Sequence, residues 1–141
     1  MSPTKDKQGF SAEEKAAMRA RAKELKAAVE GEEAITAALQ KMAPADRALG
    51  KKIHALVKKT APDLTPKTWY GMPAYADSNG KVVIFFRDAG KFKERYAMLG
   101  FQDNANLDEG TMWPVAYALA AKLSKADEAR IAKLVEQAVS R

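Results

Sequence analysis

The sequence predicts an α+β domain in which an antiparallel β-meander of about four strands packs with N-terminal helices and a C-terminal helix. Apolar residues recur at helical spacing near both ends of the 141-residue chain, whereas the middle consists of short extended runs separated by turn residues. Helices followed by consecutive strands and a final helix are typical of an α+β domain.

The first predicted helix begins at Ser11, where Ser11 and Glu14 have the spacing of a capping box. Gly31 is a suitable residue to end it. Its apolar stripe is thin and comprises Met18, Ala22, Leu25 and Val29. We therefore expect residues 1–30 to be a flexible tail and an N-terminal basic helix that docks lightly on the domain or on another chain, and residues 31–141 to be the α+β domain.

Three more helices are predicted from apolar periodicity and end residues. The second covers about residues 32–42, and the third begins with Pro44, a residue suited to a first helical turn. The last helix begins at Ser124, with Asp127 completing its cap.

The predicted strands lie between residues 68 and 119. The strongest prediction is residues 81–87, whose five consecutive apolar residues suggest a central strand covered on both faces. Asn79 and Gly80 suit the positive φ values of a tight turn before it. The remaining strands are predicted at residues 68–76, 95–101 and 111–119, the last near a sheet edge or a bulge because it contains Pro114.

Composition excludes several classes of site. The chain has no cysteine, so disulfides, thiolate nucleophiles and cysteine-ligated metal centres are excluded. No apolar run is long enough to span a bilayer and the first ten residues are polar, so we expect a soluble, cytoplasmic protein. The net charge of +6 permits acidic partners. No cofactor is predicted.

Residues 69–75, Trp-Tyr-Gly-Met-Pro-Ala-Tyr, are the most unusual segment. One hypothesis is a ligand-binding site in which Trp69, Tyr70 and Tyr75 form the walls and Met72 an adaptable floor. The alternative is a bent strand whose alternate side chains fill the core.

Basic and aromatic residues alternate in residues 91–96, Lys-Phe-Lys-Glu-Arg-Tyr. Lys91, Lys93 and Arg95 are candidate contacts for an anionic ligand, and the same pattern suits phosphates and stacked bases. The alternative is that these residues, with the lysines of the third helix, solvate the surface and protect sheet edges.

These segments together resemble a known family. Residues 69–75 follow an amphipathic helix and precede a hairpin containing residues 80–83, and residues 91–93 and 96–101 follow. Over about residues 32–139 the chain resembles the YdhG-like family of small bacterial domains of unknown function. The resemblance implies a curved antiparallel sheet, and some relatives are described as frataxin-like iron chaperones. The N-terminal helix here is net basic, which departs from the carboxylate ridge expected at such an iron site.

No catalytic motif is present, so we do not predict an enzyme. His54 is the only histidine and is expected to be structural or solvent-facing. Asp103, Asp108 and Glu109 are expected to form a solvated loop. The leading hypothesis is a binding module for an anionic small ligand or a protein partner. The alternatives are an iron-binding chaperone and weak nucleic-acid association, and the N-terminal helix suggests a homodimer.

Overall fold

The computed structural model describes residues 9–140 of the chain, which form three helices and five strands. The helices are α1 (Ala12–Gln40), α2 (Pro44–Thr60) and α3 (Lys125–Ala138). The strands are β1 (Thr65–Trp69), β2 (Met72–Ala76), β3 (Val82–Arg87), β4 (Ala97–Phe101) and β5 (Ala116–Leu119). The predicted tail at residues 1–8 lies outside the described residues.

All five strands form one antiparallel sheet in the order β1-β2-β3-β4-β5. This architecture confirms the predicted α+β meander, with one strand more than expected. The edge position predicted for the last strand is also confirmed, although β5 is shorter than the predicted segment and begins two residues after Pro114.

The helices pack on one face of the sheet. Tyr75, Ile84 and Phe101 stand opposite one another in register, so their side chains share this face. They belong to one buried cluster with residues of all three helices, including Ile35, Ile53, Val57, Ile131 and Val135. The prediction that residues 81–87 contain a central strand is confirmed, since β3 is the third of the five strands, but its cover is incomplete because Phe85 points to the opposite, open face and is only half-buried.

Helix α1 is continuous through Gly31, so the prediction of two helices separated there is wrong. The backbone of Gly31 lies against the carbonyl group of Pro66 in β1, and a Cβ atom at this position would overlap with that carbonyl oxygen. Glycine at this position therefore allows close contact between the helix and the strand, and it does not end the helix. The domain boundary predicted at residue 31 falls inside this helix.

The aromatic segment is a hairpin and not one bent strand. Trp69 pairs with Met72, which leaves Tyr70 and Gly71 as a two-residue turn between β1 and β2. Both turn residues have positive φ, 52° for Tyr70 and 76° for Gly71, as the tightest hairpin turns require. The predicted turn before β3 is also present, but Gly80 alone has a positive φ there, and the Asp77 carboxylate accepts from the backbone of Asn79 and Lys81.

Both predicted capping boxes are confirmed, at Ser11 with Glu14 and at Ser124 with Asp127. Pro44 begins α2 as expected. Within residues 9–140, no helix combines the length and the apolar character needed to cross a membrane.

The contact of Gly31 with β1 predicts that replacing this glycine by alanine has the opposite effect on stability to that seen in a free helix. In a free helix, Gly→Ala stabilises by about 1 kcal/mol. Because the new methyl group would overlap with the Pro66 carbonyl, we expect Gly31→Ala to destabilise the domain by about 1–3 kcal/mol in urea denaturation. Gln40→Ala, at an exposed position of the same helix, is the control and should change stability by less than about 0.5 kcal/mol. A stabilised Gly31→Ala variant would contradict the packing described.

Candidate functional site

The open face of the sheet carries a group of aromatic side chains near the β1–β2 turn. Trp69 packs on Phe85 with ring centroids 5.3 Å apart, and the Trp69 and Tyr70 rings form a T-shaped pair with centroids 4.9 Å apart. Phe85 lies directly over Gly100 of β4, where the absent side chain leaves room for its ring. Tyr70 is 78% exposed and therefore stands out from this group into solvent.

The loop between β3 and β4 is held beside this turn by two buried carboxylates. Asp88 accepts from the backbone N–H of Lys91 at 2.9 Å, and Asp46 of α2 accepts from the backbone N–H of Gly90 at 3.0 Å. Both carboxylates have partners, so their burial is compensated. The loop that carries Lys91 and Phe92 is thereby fixed to β3 and to the start of α2.

Cationic side chains of this loop and of β3 surround the aromatic group. The Lys91 Nζ donates to the Tyr70 carbonyl oxygen at 3.3 Å, which joins the loop to the hairpin turn. The Lys91 Nζ and the Arg87 guanidinium lie 5.5 and 5.4 Å from the centre of the Phe92 ring, within cation–π distance. We call this surface the aromatic–basic patch; it comprises Trp69, Tyr70, Phe85, Arg87, Lys91 and Phe92.

The other two predicted basic residues lie in the same loop. Lys93 is exposed and has a positive φ of 54°. Arg95 is also exposed, and its guanidinium lies 5.0 Å from the centre of the Tyr96 ring. These two residues extend the positive charge of the patch along the β3–β4 loop.

Met72 and Tyr75, predicted as the floor and a wall of the site, are buried instead. The Tyr75 hydroxyl lies under the helices, 2.8 Å from His54 Nδ1, and His54 Nε2 lies 2.7 Å from Glu32 Oε1. The Lys58 Nζ is 3.0 Å from the other oxygen of Glu32. The imidazole of His54 thus bridges the tyrosine hydroxyl and the carboxylate through its two ring nitrogens. The structural role expected for His54 agrees with this arrangement.

Two groups of this chain of contacts have shifted pKa values. Burial, with a smaller contribution from the negative charge of Glu32, raises the pKa of Tyr75 far above its usual range, so its hydroxyl stays protonated. Burial also tends to raise the pKa of Glu32, but hydrogen bonds from His54 and Lys58 outweigh it, and the pKa of Glu32 is lowered overall. These three side chains therefore form a hydrogen-bonded row in which a neutral phenol is linked through an imidazole to a carboxylate.

Two open cavities lie away from the patch. One, of about 220 Å³, is between β5 and α3 and includes Tyr117, Leu123 and Arg130. The other, of about 190 Å³, lies beside the loop after β4 and includes Leu107 and Trp113. Neither cavity is lined by a residue predicted for ligand binding. The aromatic–basic patch is therefore separate from both cavities and is an open surface.

The acidic side chains of the loop after β4 are exposed to solvent. Asp103 is exposed and forms an ion pair with Lys81 at 2.8 Å, and Asp108 and Glu109 are exposed as expected. Among residues 9–140, no three histidine, aspartate or glutamate side chains are grouped so that they could hold a metal ion.

Comparison with family models, with curated proteins and with solved structures finds no match to this chain. The resemblance to the YdhG-like family therefore stays a prediction.

Sequence reasoning found part of the patch and missed the rest. It selected Trp69, Tyr70 and Lys91, which the structure brings together. Phe92 lies in the alternating segment noted above, and Arg87 is one of the basic residues around the hairpin turns, but Phe85 was missed because the apolar run of β3 indicated burial on both faces. The alternation of Ile84, Phe85, Phe86 and Arg87 would have placed Phe85 and Arg87 on the same face.

The lowered pKa of Glu32 predicts a pH-dependent contribution to stability. A carboxyl group whose pKa is lower in the folded than in the unfolded state stabilises above the unfolded value, and this stabilisation is lost as pH falls through the folded value. We therefore expect Glu32→Gln to destabilise at pH 7 by less than about 1 kcal/mol, since Glu32 is 39% exposed. The difference from the native protein should shrink as pH falls below the ordinary value of 4.5.

Urea denaturation of both proteins between pH 7 and pH 3 measures this difference. Glu33→Gln, at the exposed neighbouring position, serves as the control and should change stability little at any pH. A difference for Glu32→Gln that widens on acidification would contradict the arrangement of charges described.

Proposed function

We propose that the protein is a binding module whose aromatic–basic patch takes an anionic ligand that contains a planar ring. The observation that carries this proposal is the position of Tyr70. Tyr70 is 78% exposed, and the Lys91 Nζ donates to the backbone carbonyl of the same residue. A ring stacked on Tyr70 would therefore have its anionic group next to a cation.

The backbone of Tyr70 supports a role in binding. A non-glycine residue with a φ of 52° is strained by about 1 kcal/mol, and asparagine or glycine would suit this turn better. An exposed tyrosine regains little of this cost by packing inside the domain. Strain of this kind is common where a side chain is held for a ligand.

Charge and ring chemistry together define the ligand class. Lys91 and Arg87 contact the ring of Phe92 and have no carboxylate partner closer than the 4.0 Å between Arg87 and Glu94 in the described residues. Two such cations near a group of packed aromatic rings suit a phosphate attached to a planar base, as in nucleotides.

The open shape of the patch favours a second candidate, a single-stranded nucleic acid. The patch is a surface on the free face of the sheet, and Lys93 and Arg95 continue its charge along the β3–β4 loop. An extended ligand would gain contacts along this line, whereas a mononucleotide would use only the central residues.

The iron-chaperone alternative has no comparable observation in its favour. It rests on the family resemblance, and the grouped carboxylates or histidines that an iron site needs are not found within residues 9–140.

Tryptophan fluorescence tests the proposal directly. The chain has two tryptophans, so a Trp113→Phe background leaves Trp69, which touches Tyr70, as the only reporter. We expect titration with adenosine monophosphate or with a ten-residue oligothymidylate to quench its emission, with weaker binding at higher salt. Tyr70→Ala and Lys91→Ala should each lower affinity by about tenfold, because each removes a stacking or charge contact.

Lys59→Ala is the matched control, since Lys59 is an exposed lysine on α2 and should not change the affinity. A higher affinity for the oligothymidylate than for the mononucleotide would identify the nucleic-acid form of the proposal. If neither probe quenches the emission, or if both patch variants bind as tightly as the background protein, the proposal fails.

The strained turn predicts opposite effects on stability and on binding. Tyr70→Asn creates the Asn-Gly sequence that two-residue hairpin turns prefer. We expect it to stabilise the domain by about 0.5–1 kcal/mol in thermal or urea denaturation and to weaken probe binding as Tyr70→Ala does. A destabilised Tyr70→Asn variant would show instead that the tyrosine serves the fold.

A further inference from the structure

The N-terminal two thirds of α1 form a helical arm that projects from the domain. Residues 12–30 span about 28 Å of helix. All of these residues except Ala28 are exposed, and the buried residues of α1 begin only at Gly31. We call residues 12–30 the arm.

The arm has its own apolar stripe. Met18, Ala22, Leu25 and Val29 follow one another at steps of four, three and four residues, which is the spacing of a coiled-coil seam. Met18, Leu25 and Val29 are 46%, 52% and 58% exposed. Large apolar side chains repeated at this spacing are typical of a helix that pairs with another helix.

The stripe faces away from the domain that α1 docks on. At 3.6 residues per turn, its direction differs by roughly 110° from that of Gly31, Ile35 and Leu39, which face the sheet and the core. The stripe is thus no continuation of the core face, and a second helix could lie along it without meeting the domain of its own chain.

We propose that the arm pairs with the arm of a second copy of this chain in an antiparallel coiled coil. In this alignment Met18 meets Val29 of the second copy, and Ala22 meets Leu25 of the second copy. Each large side chain of the central layers then faces a small one, which allows close packing of the two helices.

Charged residues beside the stripe favour the antiparallel direction. Arg19 would face Glu33 of the second copy, and this pair occurs twice in the dimer. In a parallel pair Lys15 would meet its own copy and Arg21 would face Lys26, which are like charges.

The antiparallel pair leaves two like-charge contacts near its axis, Arg21 with its copy and Lys26 with its copy. Both residues already have a carboxylate partner in their own helix, at 3.4 Å from Arg21 to Glu24 and 3.9 Å from Lys26 to Glu30. The stripe has only four layers, so we expect a weak dimer that forms with rising concentration.

Light scattering and sedimentation of the full chain test this inference. We expect the mass to rise with concentration from 15.4 kDa towards twice that value. Leu25→Glu should keep the protein at 15.4 kDa at every concentration, while its circular dichroism shows that the domain is still folded. Lys23→Glu, on the opposite side of the arm, is the control and should leave the dimer in place.

The direction of pairing has its own test. Arg19→Glu should raise the dimer dissociation constant by about tenfold, and adding Glu33→Arg should restore it, because the two positions face each other only in the antiparallel pair. A native protein that stays monomeric at all concentrations, a Leu25→Glu variant that still dimerises, or a charge swap that restores nothing would each overturn the proposal. None of these outcomes depends on ligand binding at the aromatic–basic patch.

Discussion

The hydrogen bond between the buried Tyr75 hydroxyl and His54 is the contact on which the arrangement of the domain depends. A phenol hydroxyl without a partner in the core would cost roughly 1–3 kcal/mol. Because His54 alone reaches it among the described contacts, α2 must lie where its imidazole meets β2. The same imidazole bonds to Glu32 of α1, so one tyrosine side chain fixes two helices over the sheet.

The inward direction of Tyr75 also determines what the open face displays. Successive residues of a strand point to opposite faces, so Ala74 must point outward, and Phe85 stands opposite it in β3. The small side chains of Ala74 and Gly100 leave space that Phe85 fills, and Trp69 then packs beside it. The register of β2 and β3 thus determines both the inward position of Tyr75 and the outward position of the aromatic side chains.

Local sequence chemistry was sufficient for the helix caps, for Pro44 at the start of α2 and for the existence of β3, since each depends on neighbouring residues. It was insufficient where residues distant in sequence determine the local structure. The continuity of α1 at Gly31 depends on Pro66, and the turn at Tyr70 places a bulky residue where local preference favours asparagine or glycine. For the same reason the candidate site was predicted only in part, because strand pairing decides which side chains share a face.

The uninterrupted course of α1 has a consequence for any paired form of the molecule. A helix without a proline or a break between residues 12 and 40 is a stiff rod and not a flexible tether. Two domains joined through such rods would hold their open faces at a fixed separation. A ligand with two binding groups would then gain avidity only if the distance between those groups matched the separation of the two open faces. The length of α1 would therefore determine which repetitive ligands bind to both domains at once.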